Sequence, residues 1–573
     1  MAFFAQDDWR ATSKLTLNLG VRWEIPTPRT EAFNRMAQFD PTAANPLPSG
    51  ATIPGALVWL GSCPGCRNGS SFQDYYVKEW APRLGLAYEI NNKLVLRAGY
   101  GISYQPPTEG GWGAEQFFGF NSSVVVHRQS GPMNAVNPVM YLSNFASGSA
   151  PGQVGMPAFT GTLPNTNPAS MNGNGVDYYP ANSLAMPYIQ NWSAGFQYQF
   201  PHEVLMEANY IGSKGTRLIN YDMGGINQAN AKYMGLGDIL ADDFGADLSN
   251  PTTAATLAQY GITKLPYPTF ETDNPAFSSN SVATGLARFP QYSGVQNDSP
   301  GLGNSTYHSL QLTARKNSTH GLTFIGAYTL SKNISDSASA MRYYNAYIQD
   351  LYNRKLEKSI VSFDYPQVLK LTWIYALPFG HGQRWMHSSG WADRIFSGWQ
   401  LTAIQRYGSG DPLAIYSAFD SSSAITPWVR PDVLSGVPKT LTPHGLNALL
   451  AYNAAGAVTN GTAWLNPAAF PDVPTSPNNG YPLRPGTAPP FLPNVRGPGH
   501  EVEDFGLIKN TRITERVRLE LRADFQNVFN RTGLGDPDTY LTDGIPSQGG
   551  TFGLITAPMN GPRAIQMGMH ITF

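Results

Sequence analysis

The most constraining feature of this chain is a recurring run of about 10–12 residues with an apolar side chain at every second position and intact charges between them. In SKLTLNLGVRWEI, Leu15, Leu17, Leu19, Val21, Trp23 and Ile25 share one face, while Lys14, Thr16, Asn18, Gly20, Arg22 and Glu24 share the other. KLVLRAGYGISY repeats the pattern with Leu94, Leu96, Ala98, Tyr100, Ile102 and Tyr104. So does ERVRLELRADFQNVF, where Val517, Leu519, Leu521, Ala523 and Phe525 oppose Arg516, Arg518, Glu520, Arg522 and Asp524. The last residues, RAIQMGMHITF, alternate as far as Phe573. A period of two is that of an extended strand. Soluble strands average about 5–6 residues, whereas strands that cross a bilayer at a tilt need about 9–11. A face carrying Arg, Glu and Lys must meet water. The opposite face is apolar, with aromatic residues near several strand ends, as a membrane-interface girdle requires.

Composition agrees with this reading. Charged residues are 13% of the chain, against about 25% in soluble domains. The net charge of −1 and the absence of any Lys/Arg-rich run exclude an electrostatic nucleic-acid binder. No stretch approaches 18 uninterrupted apolar residues, and the mean hydropathy is −0.26, which argues against helical spans. A barrel escapes that argument because it shows lipid only every second residue. The start, MAFFAQDDW, has neither the basic nor the apolar region of a signal peptide.

The pattern predicts thirteen strands, at 2–10, 15–25, 80–90, 93–105, 188–200, 203–213, 304–316, 321–334, 366–377, 397–408, 502–513, 515–529 and 562–573. Tight turns are expected at 10–14, 91–92, 201–202, 317–321 and 514–515, and long segments at 27–78, 106–186, 214–303, 335–365, 409–501 and 530–561. Long irregular loops count against strands in a compact soluble domain. They are expected of an outer-membrane barrel, with short turns facing the periplasm and long loops facing outside. FFGFNSSVVVHR (117–128) and DPLAIYS (411–417) read as strands of a sheet rising above the membrane. The fold class is therefore all-β, a transmembrane antiparallel barrel of about 13–16 strands. The first strand runs toward the periplasm and the count is odd, so at least one strand is expected to be missing, leaving an unpaired edge at 2–10 or 562–573.

FFAQDDWRATSKLTLNLGVRWE (3–24), YHSLQLTARKNSTHGLTFIGAYTLSKNISD (307–336), ALPFGHGQRW with SGWQLTAI (376–404), and LRADFQNVFNRTGLGDP (521–537) with the terminal aromatic strand resemble the barrel of TonB-dependent outer-membrane receptors. The likeness is to the Oar-like group and spans essentially residues 1–573 as one barrel domain. It implies the outer membrane of a Gram-negative bacterium, a partial barrel of a 22-stranded whole, and no enzyme activity. Outer-membrane lipid, the barrel-assembly machinery and an extracellular solute are the implied partners. The TonB complex would be reached only through a plug region that this stretch lacks. It also implies that Phe573 ends an assembly signal, for which an alternating strand with a free ladder edge is suited. Active uptake of a large solute (glycan, peptide or metal chelate) is the leading expectation. A passive porin, or a barrel anchoring surface loops, is the alternative.

Candidate chemistry is sparse. Cys63 and Cys66 in CPGC suit a small disulfide pinning an exposed loop, since no second CxxC or His pair accompanies them as a metal site would need. Asp7–Asp8 and Glu501/Glu503/Asp504 read as solvated charges at strand ends, with a cation site as the alternative, and Arg516, Arg518, Glu520 and Arg522 as a salt-bridge ladder to neighbouring strands, with the lining of a path for an anionic ligand as the alternative. GSGDP (408–412) has the wrong spacing for a nucleophile elbow or a phosphate loop. No cofactor, catalytic residue or metal ligand is expected, and substrate-binding residues are not identifiable. Leu519 is expected near the middle of its strand, facing lipid.

Overall fold

The computed structural model describes residues 1–105, 165–276, 278–299, 301–319, 321–337, 348–380, 383–385, 390–417, 425–426, 429–441, 451–452, 458–460, 463–544 and 549–573. Thirteen long strands form one sheet in sequence order: β1 (Ala2–Arg10), β2 (Leu15–Glu24), β3 (Glu79–Asn91), β4 (Leu94–Tyr104), β5 (Tyr188–Phe200), β6 (Val204–Ile219), β7 (Gly301–Thr319), β8 (Leu322–Ser335), β9 (Gln367–Ala376), β10 (Trp399–Gly408), β11 (His500–Arg512), β12 (Arg518–Gln526) and β13 (Ala564–Thr572). Every neighbouring pair is antiparallel. All thirteen expected strands are present. β1 and β13 are the ends of the path, and all nine residues of each are exposed, so the sheet is not closed between them.

Register keeps the two faces apart across the sheet. Leu17 lies opposite Leu86, Leu86 opposite Ala98, Ala98 opposite Ala194, and Ala194 opposite Tyr210; Leu310 and Leu330 continue the row. Leu84, Leu96, Phe196, Leu310 and Leu330 are exposed, as a lipid-facing surface must be in the absence of lipid. Toward the loop-bearing end the face gathers aromatic rings: Trp23 stacks on Trp80 with centroids 4.9 Å apart, and Phe3 leans on Trp23 at 5.9 Å. Gly212 falls between Trp192 and His308 on this face, and the Trp192 ring occupies the place of its missing side chain, 2.2 Å from where a Cβ would stand.

Several boundaries differ from expectation. β6 runs on to Ile219 and β7 begins at Gly301, so the segment between them is shorter than 214–303. The β11–β12 hairpin is wider than Thr514–Glu515: the amides of Ile513 and Thr514 both donate to the Val517 carbonyl, at 2.9 and 3.2 Å. β12 therefore starts at Arg518, and Leu519 stands one residue inside the strand, not at its middle. The stretch 411–417 is no regular strand. It makes single bridges, Pro412 to Arg496 and Tyr416 to Tyr540, and buries Leu413 and Ile415. Residues 117–128 lie outside the described ones.

The β5–β6 turn is strained. His202 and Glu203 both adopt positive φ, 61° and 58°, a conformation that costs a side-chain-bearing residue about 1–2 kcal/mol. Glu203→Gly is expected to stabilise this hairpin by about 1 kcal/mol, read as slower unfolding in detergent. An unchanged unfolding rate would mean that contacts elsewhere compensate the strain.

The packed cores lie in the long connections. One gathers Leu47, Ile53, Met234, Leu240, Phe244, Leu257, Phe270, Val282 and Ile425. A second is built around Phe39, Leu57, Trp59, Val176, Phe289 and Tyr292, and a third around Leu413, Ile415, Leu465, Phe470 and Phe552. Burying each such side chain contributes about 1.5–3 kcal/mol, enough to hold segments that have few backbone ladders. Local sequence starts the helices here. The Asp243 side chain accepts from the Ala246 amide ahead of α1 (Phe244–Ser249). Asn250 caps α2 (Pro251–Gln259), whose first residue is a proline with no amide to satisfy.

Candidate functional site at the loop-bearing rim

Connections alternate between the two ends of the sheet. At one end the chain turns back within a few residues, except at 377–398. At the other end six long connections, 25–78, 105–187, 220–300, 336–366, 409–499 and 527–563, emerge together. Polar side chains lock their described parts to one another. Asn45, fully buried, donates to Gly55 O at 2.9 Å, Asn172 Oδ1 at 2.8 Å and Tyr292 Oη at 3.1 Å. Ser49 donates to Asp273, and the amides of Asn478 and Asn479 donate to Asp238. Gln349, also fully buried, donates to Gly486 O and accepts from the Arg430 and Gly486 amides. The described parts of these connections thus pack together as a cap.

Two buried ion pairs lie inside the cap. Glu357 and Arg430 form a two-point ion pair with N–O distances of 2.9 and 3.1 Å, and Arg496 pairs with Asp364. Where the cap meets the sheet, Tyr365 Oη donates to Asp411 Oδ1 at 2.6 Å, and His500 Nε2 stands 3.3 Å from the same oxygen. Asp536 comes in from the next connection; its Oδ1 lies against Gly497, 2.0 Å from the point a Cβ there would occupy, so any larger residue would push the carboxylate aside. Burial pushes the Asp536 carboxyl up to about 6, helped by the neighbouring Asp411 charge. For Asp411, burial acts upward, but hydrogen bonds from Tyr365 and His500 outweigh it and hold the carboxyl below its usual range.

The raised Asp536 has a defined sign. Folding favours its protonated form, so its contribution is fully present below the unfolded value near 3.8 and is lost as pH rises through about 6. Asp536→Asn is therefore expected to tighten the cap against the rim at pH 7.5 and to change little at pH 4.5. Hydrogen exchange of the 409–417 and 533–540 amides at both pH values measures this. Equal loosening at the two pH values would show that the ionised carboxylate is needed as an acceptor.

The structure places the sequence-derived candidates as follows. Cys63 and Cys66 are joined, with Cα atoms 5.2 Å apart, against the Phe39/Trp59 core. Phe573 is 95% exposed just past β13. Asp7 and Asp8 sit within β1 and point to opposite faces: Asp7 lies opposite Leu19, and Asp8 accepts from Asn18 Nδ2 at 2.5 Å. Glu501 and Glu503 share a face and are both held by Arg531, at 2.9 and 3.0 Å, whereas Asp504 on the other face accepts from the Asn527 amide. The expected ladder from β12 is not across strands. Arg522 pairs with Asp524 on its own strand, Arg518 lies beside Arg512, and Arg516 falls in the turn. GSGDP is a junction, with the Gly497 amide donating to the Asp411 carbonyl at 2.9 Å. Among the described residues no group of three or more His, Cys, Asp or Glu is arranged to hold a metal ion.

Sequence reasoning did not find the Tyr365–Asp411–His500–Asp536 meeting point. These residues are 36 or more positions apart along the chain, counting from Asp536 back to His500, and no local spacing announces them.

The family model for an outer membrane beta barrel domain matches residues 1–566. Solved structures similar to the chain include the outer membrane transporter YddB from Escherichia coli, with 10% identity and a TM-score of 0.39, over 100% of this chain and 53% of that one. The closed form of the ferric-catecholate import receptor Fiu from E. coli has 11% identity and a TM-score of 0.34, over 100% and 44%. The pyoverdine receptor FpvA of Pseudomonas aeruginosa bound to pyoverdine has 9% identity and a TM-score of 0.35, over 100% and 42%. The chain thus spans about half or less of these proteins' length. No curated protein matches it significantly.

Proposed function

We propose, from the premise that this chain belongs to the outer membrane β-barrel domain family, that it is the barrel of a receptor that captures a large extracellular solute in its loop cap and passes it inward with energy from an inner-membrane partner. The observation that carries this reading is the cap itself: six long connections leave one end of the sheet, and described residues of five of them pack into cores of their own. A passive pore has no use for so much ordered protein over its mouth. The open edges at β1 and β13 fit the same reading, because lipid cannot satisfy free ladder groups; further strands would complete the wall. Energy coupling would then run through a plug region outside the stretch described here.

The solute class we infer is a glycan or peptide. Tyr75, Tyr352 and Phe363 are exposed on the cap, and Tyr416 stacks on Tyr540 with centroids 4.6 Å apart. Flat rings with few charges suit sugar faces or apolar side chains better than a highly charged chelate. The Cys63–Cys66 bond would pin one cap loop, and Phe573 would mark the last strand for assembly.

Two measurements test this. A protease added to intact cells is expected to cut in the long connections between 220 and 300 or 409 and 499, while the turn at Asn91–Asn92 stays protected. Uptake of a labelled oligosaccharide or peptide library should collapse when the proton gradient is dissipated. Cleavage at the short turns with the cap spared would invert the topology. Uptake indifferent to the gradient would instead favour a passive pore.

A further inference from the structure

Beside the upper end of β8 lies a cavity of about 440 Å³ whose lining includes three lysines, Lys332, Lys355 and Lys358, and no acidic residue. Its remaining walls are Ile334, Leu356, Ile360 and, from the 409–499 connection, Thr487, Pro489 and Pro493, with Ser359 between. Register fixes the side of the sheet on which it opens. Lys332 and Ile334 continue the row Tyr328, Leu330 of the lipid-facing surface, and Ile360 pairs with Ile334, which puts Lys358 on that same side. Lys332, Lys355 and Lys358 are exposed, and none makes an ion pair among the described residues. The neighbouring strands add further basic groups. Lys332 lies opposite His308, and on the same face Lys214 lies opposite Thr306, with no carboxylate between them. The two acids nearest in sequence are each taken by an arginine, Glu357 by Arg430 and Asp336 by Arg354 at 2.8 Å.

Three unpaired ammonium groups around an apolar hollow, on the face that continues the apolar rows and at the loop-bearing end of β8, match one chemistry. We propose that this cavity binds the phosphorylated headgroup of an outer-leaflet glycolipid, with the lysines on its phosphates and Ile334, Leu356 and Ile360 against the start of its acyl region. Basic pockets at a membrane boundary recognise anionic headgroups in this way. The lysine stems also cover apolar surface while their charged ends reach outward. A free anionic solute in transit would be met on the opposite, lumen-facing side of the sheet. The inference rests on the sidedness proposed above, and it adds a lipid ligand to the solute receptor.

The test uses the full chain folded in a non-ionic detergent, titrated with bisphosphorylated lipid A and followed by native mass spectrometry. Each of Lys332→Gln, Lys355→Gln and Lys358→Gln is expected to weaken binding about fivefold, and the triple variant about 100-fold. The triple Lys→Arg variant should bind like the wild type. Fully dephosphorylated lipid A should bind no better to the wild type than to the triple Gln variant, and affinity should fall as salt is raised. Heat-modifiable migration checks that each variant folds; if the triple variant does not fold, the single ones carry the comparison. Undiminished binding in the Gln variants, or equal binding of the dephosphorylated lipid, overturns the site. Displacement of the lipid by inorganic phosphate at equal concentration would make it a free-anion pocket and overturn the lipid assignment. Protease sidedness is read separately: an inverted topology with phosphate-dependent binding intact would overturn that topology and not the chemistry of the cavity.

Discussion

Leu310→Arg is expected to abolish most membrane insertion, while Gln311→Arg, one residue along, leaves it nearly intact. Leu310 stands at the middle of β7, exposed, between Tyr210 and Leu330 on the apolar face. An arginine at the midplane of a barrel's lipid face costs about 2–4 kcal/mol, which is about 30- to 800-fold in a folding equilibrium. Gln311 lies between Asn209 and Thr329 on the opposite face, where an added charge meets water and polar neighbours. The same side chain is introduced in both variants, so only the face differs. Because a one-residue slip would exchange the faces, the pair tests the register of the whole sheet. Heat-modifiable folding into liposomes measures it. Equal loss in both, or greater loss for Gln311→Arg, would mean that the apolar face packs against protein. Leu519→Arg should be milder than Leu310→Arg, since β12 begins at Arg518 and Leu519 lies near the interface, where the cost falls to about 0–1 kcal/mol.

Glu357→Gln and Arg430→Met are each expected to loosen the cap by about 3–5 kcal/mol without unfolding the sheet. The Glu357 side chain is 2% exposed and that of Arg430 is 12% exposed. Arg430 also donates to Ala488 O and Leu356 O, and Glu357 accepts the Gln349 amide, so the 336–366 and 409–499 connections meet on one ion pair. Removing one partner strands a buried charge with no water to solvate it. Replacing both with methionine should recover much of the loss, since two apolar groups leave no charge uncompensated. The readout is limited proteolysis and hydrogen exchange at 348–358 and 484–489, with heat-modifiable migration reporting the sheet. Loss of that migration in the single variants would show that the cap and the sheet fold as one unit.

The sequence by itself determined the spanning part of this protein. In a strand buried against lipid on one face and water on the other, each side chain's polarity is dictated by its own position, so a period of two is written locally and survives reading without any structure. Leu15 to Trp23 and Leu94 to Tyr104 show it, and their registers, Leu17 on Leu86 and Leu96 on Phe196, keep each apolar residue beside another. The open edges were legible for the same reason: counting alternating runs and turns gives an odd number and a direction. Turn lengths were less legible. Thr514–Glu515 looked like a tight turn because the alternation continues through it, yet the ladder ends at Arg512 and Arg518. Only the tertiary structure decided the cap. Its contacts join Asn45 to Tyr292, Gln349 to Gly486 and Tyr365 to Asp411, pairs separated by 247, 137 and 46 residues. Nothing in a Gly-, Pro- and Asn-rich segment says which distant carbonyl or carboxylate it will meet. The lysine cavity has the same origin: Lys332 is an unremarked polar residue at a strand end until the 336–366 and 409–499 connections fold beside it, because a binding site made of three segments exists only in the space between them.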